Sequence, residues 1–315
     1  MAIKCVTYGG RIGWFLRKHF SRYTSAAYLK WQYGRRKKLF LDFIDYAEDV
    51  QSKGDALLPS TIAMETINRC NSTCEFCPAN KNTDKRPFQK MDEALFKKLI
   101  GELRDLDYDG YLTLYVNNEP FMDTRIIEWH KYAKEQIPRV KTLMYTNGLL
   151  LTLDKFKEAI PYVDKMIINN YSTELKLHKN LKEILDYVNS HDEYKEVDVT
   201  IQIRYIKEIL TNRGGVAPNK QEKKDHHMAC VMPYTDFVVF PDGRVGICCN
   251  DALEQTNLGN VTDHTIHEIW NSDMYKNLRK KIGRDRTGYP YCASCDFMDA
   301  GIRNELMLEE MQHGR

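Results

Sequence analysis

Between residues 61 and 204 the chain repeats one pattern, a short apolar or alternating run followed by a longer run with helical spacing. Strands are expected at Thr61 to Ile67, Tyr111 to Val116, Thr142 to Thr146, Lys165 to Asn169 and Val197 to Arg204. Helices are expected near 91–106, 126–135, 154–160 and 174–188. In the first of these Leu95, Leu99, Ile100 and Leu103 fall on one side, as a 3.6-residue period requires. A parallel strand pair needs a crossover of about this length, so the repeated units predict an α/β fold, a partial (β/α)6 parallel barrel.

The chain continues well beyond that pattern. Its 315 residues, 43% of them hydrophobic, suffice for about two domains. Residues 206–228, with Asn212-Arg213-Gly214-Gly215 and Pro218, read as a linker. Phe237 to Phe240, the Pro241-Asp242-Gly243 turn and Arg244 to Cys249 read as a β-hairpin, and the apolar spacing from Ile266 to Leu278 as a helix. Three parts are therefore expected: a basic, aromatic helical extension over 1–58, the barrel over 59–215, and a small domain of hairpin plus helix over 216–315.

The net charge of +2 conceals an asymmetry, because residues 1–40 hold ten Lys or Arg and no acid. Arg17, Lys18, Arg22 and residues 35–38 alternate with Trp14, Phe15, Phe20, Tyr23, Tyr28 and Trp31. That mixture suits a helix packed on the main domain or peripheral contact with an anionic membrane surface, with nucleic acid the least favoured partner. No apolar run approaches the roughly 18 residues of a membrane span, and no signal peptide is recognisable, so a cytoplasmic location is expected.

Nine cysteines in an odd, clustered arrangement point to metal binding rather than disulfides. Cys70-x3-Cys74-x2-Cys77 puts three thiolates in one loop, at the carboxyl end of the first barrel strand. Three thiolates suffice to hold three irons of a cubane and leave the fourth open to a chelating amine and carboxylate, whereas zinc more often takes four ligands. Downstream, Cys230, Cys248, Cys292 and Cys295 form a four-thiolate set that suits zinc or a [4Fe-4S] cluster alike. Cys249 neighbours Cys248 on a strand and must point to the other face, which makes it a buried small residue or a hydrogen-atom donor.

With Phe76 before its last cysteine, the first motif resembles the signature of the radical S-adenosylmethionine (SAM) superfamily. The resemblance implies that SAM chelates the open iron and is cleaved by one electron to a 5′-deoxyadenosyl radical. Asn117-Asn118-Glu119-Pro120 resembles the segment of that family that meets the SAM amine, with Glu119 at the acidic position. Tyr145-Thr146-Asn147-Gly148 resembles a strand-end segment near SAM, which makes Asn147 a second candidate contact. Arg204, at another strand end, is a candidate partner for the SAM carboxylate.

The stretch from Cys230 to Cys295 resembles the auxiliary-cluster domain called SPASM, in its shortened Twitch form with one extra [4Fe-4S] cluster. Its cysteine spacing resembles the branch containing the scyllo-inosamine dehydrogenase of aminoglycoside biosynthesis. A fully ligated auxiliary cluster implies electron transfer, hence oxidation of a sugar, cyclitol or aminoglycoside-like substrate, with flavodoxin or ferredoxin as the reductant. The alternatives are a maturase of a ribosomal peptide, a sugar epimerase that uses Cys249, and a zinc-stabilised binding protein.

Overall fold

The computed structural model describes residues 3–7, 11–194, 196–221, 223–298 and 301–313, with side chains described outside 8–28, 301–304, 306 and 313. It opens with β1 (Ile3–Thr7) and a long α1 (Arg11–Ser52). The repeating part follows as β2 (Thr61–Met64), α2 (Glu93–Asp105), β3 (Tyr111–Thr113), α3 (Ile126–Gln136), β4 (Lys141–Thr146), α4 (Leu153–Ala159), β5 (Lys165–Ser172), α5 (Lys179–Asn189) and β6 (Asp198–Tyr205). The remainder comprises α6 (Met232–Thr235), β7 (Asp236–Val239), β8 (Val245–Gly246), α7 (Ile266–Trp270), α8 (Asp273–Ile282), α9 (Pro290–Ala293) and α10 (Gly301–His313).

The strands form one sheet in the order β1-β6-β5-β4-β3-β2-β7-β8, parallel except for the last pair. Alternation along each strand separates two faces. Ile62, Met64, Leu112, Met144, Met166, Ile168, Val199 and Ile201 join the core built with Phe96 and Leu99 of α2, Trp129 of α3, Phe156 of α4 and Leu181 of α5. Ala63 points the other way and makes a separate cluster with Val116, Val238 and Phe240. By the same alternation Tyr145, Tyr171 and Arg204 lie on this second face. Each crossover helix thus covers one side of the sheet and leaves the other open to a ligand.

Four expectations change in detail. The N-terminal extension is not only helical, because β1 adds a strand whose Ile3 pairs with Val199 and is fully buried. The hairpin β7–β8 does not stand apart, because Asp236 to Val239 run in register with Thr61 to Met64 and extend the main sheet. The segment read as a linker is docked, since Asn212 donates its backbone N–H to Asp296 Oδ1 (2.7 Å) and its amide to the Ser294 carbonyl (2.6 Å). The helix expected from Ile266 to Leu278 is two helices, broken at Asn271 and restarted by Ser272, whose hydroxyl caps Tyr275 N–H.

α1 packs through Phe40, Phe43, Ile44 and Ala47 on Met228, Ala229, Val231, Tyr234, Met298 and Met307. These partners flank Cys230, follow Cys295 or lie on α10, so the extension braces the cysteine-bearing segments. The Arg284 guanidinium ties the same helix down through Asp45 (2.7 Å) and Glu48 (2.6 Å). Of the basic and aromatic residues expected on its surface, Trp31, Arg35, Lys37 and Lys38 are exposed, while the side chains of Trp14, Phe15, Arg17, Lys18, Phe20, Arg22, Tyr23 and Tyr28 lie outside the described residues. Among the described residues no helix is long and apolar enough to cross a membrane.

Candidate active site

The loop after β2 carries Cys70, Cys74 and Cys77 and is knotted by its own hydrogen bonds. Asn80, buried, donates its amide to the carbonyls of Cys77 (2.7 Å) and Cys74 (3.3 Å), and Lys81 N–H reaches Ser72 O (2.9 Å). Three polar groups approach the sulfurs: Ser72 N–H meets Cys70 Sγ (3.4 Å), Ser72 Oγ meets Cys74 Sγ (3.0 Å), and the Asn147 amide meets Cys70 Sγ (3.7 Å). Burial pushes the Cys70 thiol up to about 12 and Cys74 to about 11, with mutual repulsion among the three sulfurs adding to both. Thiols raised this far hold their protons until a metal displaces them. The donor set therefore fits an iron cluster held by three thiolates, with N–H and O–H groups in place to stabilise the charged form.

Strand ends surround this loop. Glu119, 1% exposed, receives the N–H of Phe121 (3.2 Å) and the hydroxyl of Thr146 (2.7 Å) on one oxygen and Asn147 N–H (2.7 Å) on the other. Burial still raises its pKa, and these bonds oppose the rise. Its carboxylate thereby fastens the end of β4 to the segment after β3. Asn147 extends the tie to the cysteine loop through Asn71 Oδ1 (2.8 Å). The turn behind it needs Gly148, whose φ is +75° and whose Cβ would stand 2.8 Å from Ile168. Arg204 donates to Glu208 (2.8 Å) and Gln202 (3.1 Å), and its charge lowers the pKa of Cys74, so it is a partly buried cation on the cysteine side rather than a surface ion pair.

The open face also gathers Tyr115, Tyr171 and Arg213, for which the sequence reading gave no site role, beside Phe76, Tyr145 and Cys249 of its motifs. Tyr115 and Tyr145 pair with ring centres 5.6 Å apart, and Phe76 packs on Tyr171 at 5.2 Å. Arg213, from the segment read as a linker, donates to Asn117 Oδ1 (2.7 Å) and to the Cys249 carbonyl (3.1 Å). Its charge is felt at Tyr115, and Cys77 and Cys249 act on it in turn. It thus lies between the first cysteine loop and the second. The Arg213-Gly214-Gly215 run, with positive φ at all three residues, was the available signal for a tight, docked turn. Cys249 packs against the Ala63, Val116, Val238 and Phe240 cluster on the same face.

Cys230, Cys248, Cys292 and Cys295 line one cavity with Met232, Ile247, Ile282 and Phe297. Burial raises the pKa of Cys248, Cys292 and Cys295, and the neighbouring sulfurs raise each of them further. An apolar chamber ringed by soft thiolates fits an iron–sulfur cluster. Buried Asn250, whose Nδ2 has no partner among the described residues, lines the same chamber and would have an acceptor in the cluster's sulfurs.

Comparison with known proteins agrees with this chemistry. The family model of the radical SAM superfamily matches residues 64–205, and that of the SPASM iron–sulfur cluster-binding domain matches residues 230–296. The second match overturns the reading of a zinc-stabilised binding protein. A [4Fe-4S] cluster and SAM are the cofactors of the first domain, and iron–sulfur chemistry belongs to the second. The chain is 27% identical over 239 residues to S-adenosyl-L-methionine-dependent 2-deoxy-scyllo-inosamine dehydrogenase of Niallia circulans, covering 75% of this chain and 92% of that protein. A crystal structure of BtrN in complex with AdoMet and 2-DOIA is similar at 27% identity and a TM-score of 0.67, over 77% of this chain and 94% of that one. Selenomethionine BtrN in an open conformation, at 23% identity and a TM-score of 0.57 over 76% and 94% of the two chains, shares the fold.

Proposed function

Because the chain belongs to the radical SAM superfamily and carries a SPASM domain, we propose that it oxidises a carbinol of a cyclitol, sugar or aminoglycoside-like small molecule to the ketone. The observation that carries this reading is the complete four-thiol ring of one auxiliary chamber, which leaves no iron open for substrate and so favours electron transfer. The similarity to a dehydrogenase of 2-deoxy-scyllo-inosamine supports the substrate class. The two family matches likewise support a division into a barrel over 59–215 and an auxiliary domain over 216–315, whose strand β7 also extends the barrel sheet.

Cys70, Cys74 and Cys77 would hold the SAM-cleaving cluster, and Cys230, Cys248, Cys292 and Cys295 the auxiliary one. When bound, these groups and SAM supply a 5′-deoxyadenosyl radical that takes the carbinol hydrogen atom and an acceptor for the electron left when the hydroxyl proton departs. The chain's residues do the rest. Asn147 and Glu119 join the SAM-side strand ends to the cysteine loop, and Arg204 offers a guanidinium to a carboxylate. Arg213, held by Asn117 and the Cys249 carbonyl, sets a positive charge where an oxygen losing its proton would need it. Tyr115, Tyr145 and Phe76 wall the face against water.

Metal content tests the assignment. After anaerobic reconstitution, wild type should bind about eight irons and Cys292→Ala/Cys295→Ala about four; four irons with one zinc in wild type would sink the auxiliary-cluster role. Incubation with SAM, a flavodoxin or ferredoxin reductant and 2-deoxy-scyllo-inosamine should yield 5′-deoxyadenosine and a ketone. Turnover of a precursor peptide alone would replace the small-molecule reading with peptide maturation.

A second reading has its own support. Cys249 packs on the open face beside Arg213, where a thiol could return a hydrogen atom and make the enzyme an epimerase. Reaction in D2O would then place deuterium at the substrate carbon, and Cys249→Ser would stop it. Peripheral contact with an anionic membrane rests on exposed Trp31, Arg35, Lys37 and Lys38; failure to float with phosphatidylserine vesicles at low salt removes it.

A further inference from the structure

The four-cysteine chamber has two polar side chains in its wall besides the thiols and Tyr291, namely Asn250 and Arg286. Arg286 is 2% exposed. Its Nη1 donates to the carbonyls of Cys295 (2.8 Å) and Phe297 (3.0 Å), Nη2 to that of Ala229 (2.7 Å), and Nε to that of Met228 (3.3 Å). These four oxygens belong to the segments that present Cys230 and Cys295. They satisfy the guanidinium without neutralising it, so its charge acts across an apolar chamber of low dielectric.

Asn250 supplies an independent observation. It is 3% exposed, its backbone carbonyl accepts from the Tyr291 hydroxyl (2.7 Å), and its Nδ2 has no acceptor among the described residues. A buried N–H left in this state carries a desolvation penalty of about 1–3 kcal/mol. Sulfur held in the chamber would relieve it.

We propose that Asn250 and Arg286 tune the auxiliary cluster, raising its reduction potential so that it takes the substrate's electron instead of giving one. The inference rests on the auxiliary-cluster reading above. A thiolate-ligated cluster is anionic, and each added electron increases that charge. A fixed cation and an N–H donor therefore stabilise the reduced form more than the oxidised form. Both are positioning residues, acting through the cluster rather than on the substrate.

The test uses the full chain with Cys70→Ala/Cys74→Ala/Cys77→Ala, so that only the auxiliary site loads, and follows the midpoint potential by electron paramagnetic resonance. Asn250→Val and Arg286→Gln should each shift the reduction equilibrium at least threefold toward the oxidised form, where tenfold corresponds to 59 mV. Arg286→Lys, which keeps the charge, should stay closer to the parent than Arg286→Gln. Unchanged midpoints in Asn250→Val and Arg286→Gln, at full iron content, would overturn the proposal. If Arg286→Gln does not load, Asn250→Val decides, because it removes an N–H that no atom of the described residues accepts. A parent that binds no iron refutes the auxiliary site itself, and the tuning falls with it.

Discussion

Arg86 offers a quantitative check on how the cysteine loop is joined to the hairpin. Its guanidinium, nearly buried, meets Asp84 (2.9 Å), Glu254 (2.5 Å) and Glu65 (3.6 Å), and so links the end of β2, the cysteine loop and the segment after β8. Replacing it with Met leaves buried carboxylates short of a cation, which destabilises by about 3–5 kcal/mol. That is a large share of a folding free energy of about 5–15 kcal/mol. The loss should also depend on pH. Burial raises the Glu65 pKa from 4.5 to about 8, with Arg86 the main influence holding it down. Because the folded pKa lies above the unfolded one, Glu65 takes stability away as pH rises from 4.5 to about 8 in the wild type, after which its effect is constant. Without Arg86 the folded pKa climbs further, so the decline continues past pH 8 at about 1.4 kcal/mol per unit. Urea unfolding of both proteins at pH 6, 8 and 9, anaerobically and without iron, measures this. A penalty below about 1 kcal/mol, or one that does not grow between pH 8 and 9, would refute the reasoning.

Other substitutions probe separate parts of the argument. Cys77→Ala should abolish reductant-dependent 5′-deoxyadenosine formation while circular dichroism stays unchanged; retained cleavage would exclude the first cysteine loop as the SAM site. Arg279 is 2% exposed, donates its Nε to the Pro233 carbonyl (2.9 Å) and faces Trp270 at 4.2 Å, but its Nη1 and Nη2 have no acceptor among the described residues and its pKa is lowered to about 10, chiefly by burial. Arg279→Met should therefore lie within about 1 kcal/mol of wild type or above it in thermal unfolding, since an apolar group of similar length removes unsatisfied donors; a loss beyond about 3 kcal/mol contradicts this. Gly243 turns the hairpin at a φ of +83°, and a Cβ there would stand 2.6 Å from Asn260 Oδ1. Gly243→Ala should cost at least about 1 kcal/mol in the same assay, and an unchanged midpoint would mean the turn is looser than its geometry.

By itself the sequence determined whatever is encoded locally. Strand and helix periods placed β2 to β6 and α2 to α5 to within a few residues, apart from a later start for α5, because each element shows one apolar side to one core. Cysteine spacing within a single loop made the first candidate site legible for the same reason, since Cys70, Cys74 and Cys77 span only eight residues of backbone. Tertiary structure decided what depends on distant segments meeting. β1 joins the sheet beside β6, nearly 200 residues away, and the hairpin completes the barrel edge instead of standing apart, because unpaired strand edges find partners that no local window contains. Arg213 reads as part of a linker until Asn117 and the Cys249 carbonyl receive its guanidinium, and no local pattern marks Arg286, which four carbonyls from two cysteine-bearing segments enclose. A charge acquires its role from what surrounds it, and that surrounding exists only once the chain has folded.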